Sequence, residues 1–277
     1  MSSRIRLIVN ADDFGITPAV NRGIADAHDR GIVTSASLMA TGAAFDDAVA
    51  LAHQRPQLAV GVHLVLTEQR PLVGGPSLVK PDGLFPPDWK ELAARQLRGR
   101  ISASEVRAEL DAQIARVRAA GLAVSHLDGH QHVHVLPGIA PIVAELAAAH
   151  GIRAVRYPAE RLRGYMLRSL KHARRVAEQA VLDVVCALSP LKPLRRSDEF
   201  VGFFFGGRLD EHNLATVLEA LPTGCTVELM CHPGDADMQG SPNWQYAWAA
   251  ERDALASPRI RELVVARGME LVAAGNA

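Results

Sequence analysis

The sequence predicts an α/β fold, a TIM-barrel-like (β/α) barrel of about seven to eight parallel strands. Short β-branched runs alternate with alanine-rich segments of helical period along the chain, the pattern left by repeated βα units. The length, 277 residues, fits one such barrel, which commonly occupies about 250 residues as a single domain. About eight strand candidates favour a closed barrel over an open sheet. A single domain spanning 1–277 is therefore expected, with no internal repeat or low-complexity tract.

The elements follow in order. RLIVNA (6–11) reads as a buried strand and AVNRGIADAHDRG (19–31) as the helix after it. VTSASLMAT (33–41) is a second strand candidate, and FDDAVALAHQRP (45–56) a helix ending before Pro56. LAVGVHLVLT (58–67) is a strong third strand. ASEVRAELDAQIARVRAAG (103–121) is an amphipathic helix with Ser104 as N-cap and Gly121 as its stop. VSHLDGHQHVHV (124–135) precedes the helical IAPIVAELAAAHG (139–151). AVRYP (154–158), FVGFFFG (200–206), CTVELMCHPG (225–234) and MELVAAG (269–275) supply four further strand candidates.

Two segments break the alternation. Residues 67–90 are rich in proline and glycine and follow a strand; so long a loop is functional or disordered, and a lid or substrate-binding loop is the reading adopted. Residues 160–199 carry much of the basic charge, interleaved with Leu162, Met166, Leu167 and Leu170, and read as a basic amphipathic helical insertion. Such a helix serves as a solvated face or oligomer contact, or else meets an anionic substrate or, transiently, a membrane surface.

Composition narrows the partners. The 30 basic and 30 acidic residues balance, so nothing points to nucleic acid. Cys186, Cys225 and Cys231 are few, odd in number and without metal-ligand spacing, which fits a reducing cytoplasm rather than a disulfide framework. The first residues, MSSRIRLIVNADDFG, reach a carboxylate pair too early for a signal peptide, and no apolar run approaches the roughly 18 residues of a transmembrane span. A soluble cytoplasmic protein is expected.

Chemistry-bearing residues cluster at the C-terminal ends of predicted strands, where a barrel of parallel βα units assembles its active site. They are Asp12–Asp13, His63, the run from Asp128 to His134, and His232. Adjacent carboxylates on an extended chain point to opposite sides, so Asp12 and Asp13 serve one site only if the strand ends there; helix capping is the alternative. Paired carboxylates suit a division of labour in which one binds a cation and the other takes a proton. His63, alone, would be a hydrogen-bonded core residue; beside a second histidine strand and a carboxylate strand it reads as a ligand. On an extended chain Asp128, His130, His132 and His134 share a face, but Asp128 and His134 lie roughly 20 Å apart. One ion with bonds of about 2 Å cannot gather them all, and spacing alone does not select which histidine binds. His232, followed by Pro233 and Gly234, protonates a leaving amine or stabilises an oxyanion, or is a turn residue bonded to backbone. One carboxylate with two imidazoles leaves open positions on a divalent metal, as amide or ester hydrolysis requires.

NADDFG (10–15), GIVTSASLM (31–39), GVHLVLT (61–67), HLDGHQHVH (126–134) and CHPG (231–234) together resemble the motif series of the YdjC-like carbohydrate deacetylases. That family includes chitooligosaccharide deacetylases and the hopanoid-biosynthesis deacetylase HpnK. The resemblance runs in the same order from residue 6 to about 234. It implies a distorted barrel, often a homodimer, that removes acetyl groups from N-acetylated sugars with one divalent metal ion. By motif position it implies Asp13, His63 and His130 as ligands, Asp12 as general base, by similarity to the wider polysaccharide deacetylases, and His232 as acid. Asp128, His132 and His134 are left to support the ligands or meet substrate. The family suggests Mg2+, whereas two imidazoles favour Zn2+ or another transition metal. The sequence departs from the family at Gln131, where a third consecutive histidine is common, and residues 160–199 match no motif. If that segment lies near the active face, a glycolipid becomes a plausible substrate beside a chitooligosaccharide. Rival readings are a metal-dependent phosphoesterase or amidohydrolase, in which spare histidines hold a second metal, and a non-catalytic sugar-binding protein.

Overall fold

The computed structural model describes residues 4–167, 173–191, 193–236 and 244–276. Its first strand, β1 (Ile5–Phe14), is buried almost throughout because it has neighbours on both edges. β2 (Ser35–Leu38) and β7 (Met269–Leu271) share one edge end to end, and β6 (Thr226–Cys231) runs along the other. With β3 (Ala59–Leu64), β4 (Val124–Gly129) and β5 (Glu199–Val201) they form one parallel sheet, ordered β4-β3-β2-β1-β6-β5. Helices connect the strands, among them α1 (Pro18–Asp29), α2 (Phe45–His53), α4 (Ala103–Ala119), α5 (Ala140–Ala149) and α7 (Glu211–Glu219).

Register divides the sheet by parity. Val9, Ala11, Ala36, Val62, Leu127 and Leu229 share one face and join the apolar core. The other face carries Asn10, Asp12, Ser37, His63, Asp128 and Glu228, all buried and mutually hydrogen-bonded. Such a polar face is stable only when its groups satisfy one another.

Arg156 shows that the sheet is curled. Its guanidinium reaches Asp12 on β1 at 2.6 Å, Asp128 on β4 at 2.9 Å and Glu228 on β6 at 2.6 Å. In a flat sheet β4 and β6, four strand spacings apart, would be separated by about 19 Å. Beyond β4 the wall is completed only by isolated bridges, Leu127 to Val155 and Ala154 to Arg195. The fold is thus the expected distorted barrel, with seven strands among the described residues.

Several local expectations need correction. The strand expected at 154–158 is reduced to those bridges, since Pro158 has no N–H and Arg156 turns inward. The one at 200–206 ends at Val201, because Gly202 takes φ +110° and turns the chain. The strand through 124–135 stops at Gly129 and gives way to a 3-10 turn, His130–Val135, with Gln131 and His132 at φ +52° and +57°. Ser102, not Ser104, is the N-cap of α4. The loop starting at residue 67 ends where α3 (Trp89–Leu97) begins, capped by Asp88. The 160–199 segment is not one helix: a 3-10 turn (Gly164–Leu167) and α6 (Ala173–Ala187) replace it, and Leu170 lies outside the described residues. Leu162 and Leu167 are exposed while Met166 is buried. Among the described residues no helix is long and apolar enough to cross a membrane.

Candidate metal centre

β1 delivers Asp12 and Asp13 to the strand's C-terminal end, and the backbone there decides how both are used. Asp13 adopts φ +66° and the β1–β2 register slips between Ala11 and Phe14. Aspartate tolerates this left-handed conformation better than most residues. The slip breaks strand alternation, so both carboxylates line one cleft rather than opposite faces of the sheet.

Asp13 faces two imidazoles. Its Oδ1 lies 3.5 Å from His63 Nε2 and 3.1 Å from His130 Nδ1, and all three residues are buried. One ligand atom from each falls within 4.8 Å of the others. On His63 the far nitrogen, Nδ1, donates to Asp128 at 2.8 Å, which turns Nε2 toward Asp13. That outer hydrogen bond to a carboxylate is how metal-binding histidines are oriented. Burial opposes charge on His63, but Asp128, Asp12 and Asp13 outweigh it and raise its pKa to about 10. His130 is raised for the same reason, by Asp13 and Glu68 against burial. Burial also disfavours an ionised Asp13, yet hydrogen bonds from both imidazoles bring its pKa far below the usual carboxylate range. The set therefore holds positive charge, and a divalent cation fits in place of the two ring protons.

A second group, Asp12, His63 and Asp128, is also close enough to hold an ion. There the counter-charge is already present. Arg156 donates to both oxygens of Asp12 at 2.6 and 2.7 Å, and pairs with Asp128. A further cation there would sit against a fixed guanidinium, so of these two groups among the described residues the Asp13 group is the better fit for a metal.

His232 follows β6 and lines the same cleft. Its backbone N–H donates to the buried Glu251 at 2.6 Å, its ring lies 4.8 Å from that of Tyr246, and its Nδ1 has no hydrogen-bond partner among the described residues. The turn after it packs so tightly on α1 that a Cβ on Gly23 would lie 2.3 Å from Gly234 Cα. All four clusters expected at strand ends thus converge.

The YdjC-like protein family model matches residues 6–266 of this chain. A carbohydrate deacetylase of Mus musculus is 37% identical, over 98% of this chain and 94% of the relative. The chain belongs to the YdjC-like family. A chitooligosaccharide deacetylase of Klebsiella pneumoniae is similar too, 36% identical over 96% of each chain. A solved Enterococcus faecalis structure, described as a candidate cellobiose-phosphate cleavage protein, matches with a TM-score of 0.79 at 28% identity over 99% of both chains.

In this YdjC-like chain the 3-10 turn sends the cluster's histidines different ways. His130 alone joins the Asp13 group. His132 lies in the cleft wall against Phe200 and Phe203, with ring centroids 5.9 and 5.7 Å away, and its Nδ1 has no hydrogen-bond partner among the described residues. His134 turns behind the site, where Nε2–H donates to the Arg156 carbonyl at 3.0 Å. Gln131 accepts from the Trp89 N–H at 2.8 Å and anchors the start of α3.

Arg156, Glu68, His126 and the aromatic wall escaped sequence reasoning. Arg156 had a signal, a single cation inside the apolar run AVRYP. Glu68 had none, sitting in a loop sixty residues from His130. The cleft, about 420 Å³, has one wall of Trp89, Phe203, Trp244 and Tyr246, and another from α6 of Val181, Leu182 and Val185. Lys90, Arg174 and Arg175 add positive charge there, partly balanced by Glu178.

Proposed function

We propose that this chain is a metal-dependent carbohydrate N-deacetylase acting on an acetylamino sugar, free as a chitooligosaccharide or carried on a glycolipid. The observation that carries the reading is the grouping of Asp13, His63 and His130 beside a second carboxylate, Asp12, in one cleft with His232. The names of the relatives, carbohydrate and chitooligosaccharide deacetylases, support the same reaction.

Asp13, His63 and His130 would hold the cation. When bound it supplies Lewis acidity, polarising the acetyl carbonyl and acidifying water. Asp12, fixed in its plane by Arg156, takes a proton from the attacking water. His232 delivers a proton to the sugar nitrogen as the C–N bond breaks, leaving acetate and a free amine. Two imidazoles with one carboxylate favour Zn2+ or another transition metal over Mg2+. Trp244 and Tyr246 offer faces on which a sugar ring stacks, and the apolar α6 wall with its arginines supports the lipid-linked form of the substrate. A two-metal phosphoesterase has less support, since neither His132 nor His134 joins a group close enough to hold an ion among the described residues, and His134 is bonded to the Arg156 carbonyl.

Acetate release from chitobiose, N-acetylglucosaminyl lipids and simple N-acetyl sugars, with metal analysis of the same preparation, tests the proposal. His63→Ala and His130→Ala should lose metal and activity together. Asp12→Asn should keep metal and lose turnover by at least about 100-fold; full acetate release by that variant would overturn the base assignment. Sugar binding without acetate release from any substrate would sink the enzyme reading in favour of a binding protein.

A further inference from the structure

The loop after β3 places one more carboxylate against the metal centre. Glu68 Oε2 lies 2.8 Å from His130 Nε2, the nitrogen turned away from Asp13. Its other oxygen accepts from Trp244 Nε1–H at 3.0 Å, and the Trp244 ring stands 5.0 Å from that of His130. We propose that Glu68 is a positioning residue for the cation site, holding His130 so that Nδ1 faces the ion and tying that imidazole to the tryptophan of the substrate wall. The proposal rests on the cation-site reading given above.

Three observations carry it. His63 has the matching arrangement, with its outer nitrogen on Asp128 and its inner one on Asp13. With Glu68 included, both imidazoles are oriented by a carboxylate, and conserving that geometry is what such partners do for metal ligands. Glu68 also sits at φ +63°, a left-handed conformation that is unfavourable for a non-glycine residue and persists only where its surroundings enforce it. The surroundings do so: Glu68 N–H donates to the Pro86 carbonyl at 2.8 Å, and Phe85 N–H to the Gln69 carbonyl at 3.0 Å. Further along, the buried Glu109 of α4 accepts the N–H groups of Leu72, Val73 and Gly74. The loop is a braced support that aims Glu68, rather than a free flap.

Without Glu68, the His130 ring is free to turn about its Cβ–Cγ bond, which carries Nδ1 away from the ion, and Trp244 loses its acceptor. In full-length protein stripped of metal, Zn2+ affinity measured by chelator competition should weaken 10- to 100-fold in Glu68→Ala. Glu68→Gln has a single acceptor oxygen for two N–H donors and should lose about threefold to tenfold. Trp244→Phe removes only the outer hydrogen bond, so its Zn2+ affinity should stay within twofold while KM rises. Ring 15N shifts of Zn2+-loaded wild type should report a His130 protonated at Nε2, a signature lost in Glu68→Ala. If the alanine variant is poorly folded, the glutamine variant decides. Zn2+ affinity within twofold of wild type in both Glu68 variants, with the ring signature unchanged, overturns the proposal while leaving the cation site standing. A wild-type protein that binds no divalent cation overturns the site and Glu68's role together.

Discussion

At the end of β1 one dihedral angle decides what two aspartates can do. With Asp13 at φ +66°, Asp12 keeps the strand's inward direction toward Arg156 while Asp13 turns to the imidazoles. Proton bookkeeping settles the neighbouring rings. Ser37 has one proton, given to Asp128 Oδ2 at 2.7 Å, so His126 Nε2–H must donate to Ser37, and His126 Nδ1 accepts from Ser125. His126 is thus neutral, and burial lowers its pKa to about 4; His134 is lowered to about 4 as well, again chiefly by burial. The unfolded chain protonates its histidines near 6.5. These two therefore take their protons later in the folded state, and the stability they contribute, intact above pH 6.5, is lost as pH falls toward 4. In a ring-proton titration by NMR, His126 and His134 should stay neutral from pH 8 to 5.5. A midpoint near 6.5 for either would contradict the buried hydrogen-bond assignment.

At the scale of elements, the loop from 67 to 88 and the turn after β4 behave as fixed parts of the scaffold. Three successive backbone N–H groups converge on Glu109, which also accepts from Gln113. Hydrogen bonds to a charged group contribute about 1.5–3 kcal/mol each. Glu109→Ala should therefore destabilise the protein by at least about 2 kcal/mol and expose the amides of Leu72, Val73 and Gly74 to rapid hydrogen exchange. Protection unchanged at those amides would show that the brace lies elsewhere. On α6, Val181 of the cleft wall and Val184 are 53 and 60% exposed, and Leu188, just past the helix end, is 78% exposed.

For the whole molecule, Arg156 is the group that draws the curled sheet together. It is buried, and three carboxylates from β1, β4 and β6 depend on it. Burial alone would raise the pKa of Asp128; Arg156 and His63 instead hold it well below the carboxylate range. For Glu228 burial prevails, and its pKa is raised. Removing one partner of a buried ion pair typically costs about 3–5 kcal/mol, because the remaining charge is left uncompensated. Arg156→Met should lose at least that much in urea unfolding, and activity with it. A loss below about 1 kcal/mol would mean that the strands close without the guanidinium.

The sequence by itself determined the fold class, a barrel of about seven to eight strands and the positions where chemistry gathers. Strand and helix periods are local, and active residues at strand ends follow from the parallel βα architecture. It also contained Asp12, Asp13, His63, His130 and His232 as candidates, since polar residues after apolar runs are conspicuous. It did not determine which histidine of the cluster faces the site. That choice turns on Gln131 and His132 at positive φ, which replace an extended strand and its 20 Å span by a turn. Nor did it reveal Arg156 or Glu68 as partners of the site. Their contacts with Asp12 and His130 span 144 and 62 residues, and only the curl of the sheet and the braced loop bring them within hydrogen-bond distance. Long-range electrostatic pairing leaves no period in the chain, so it was decided in the tertiary structure alone.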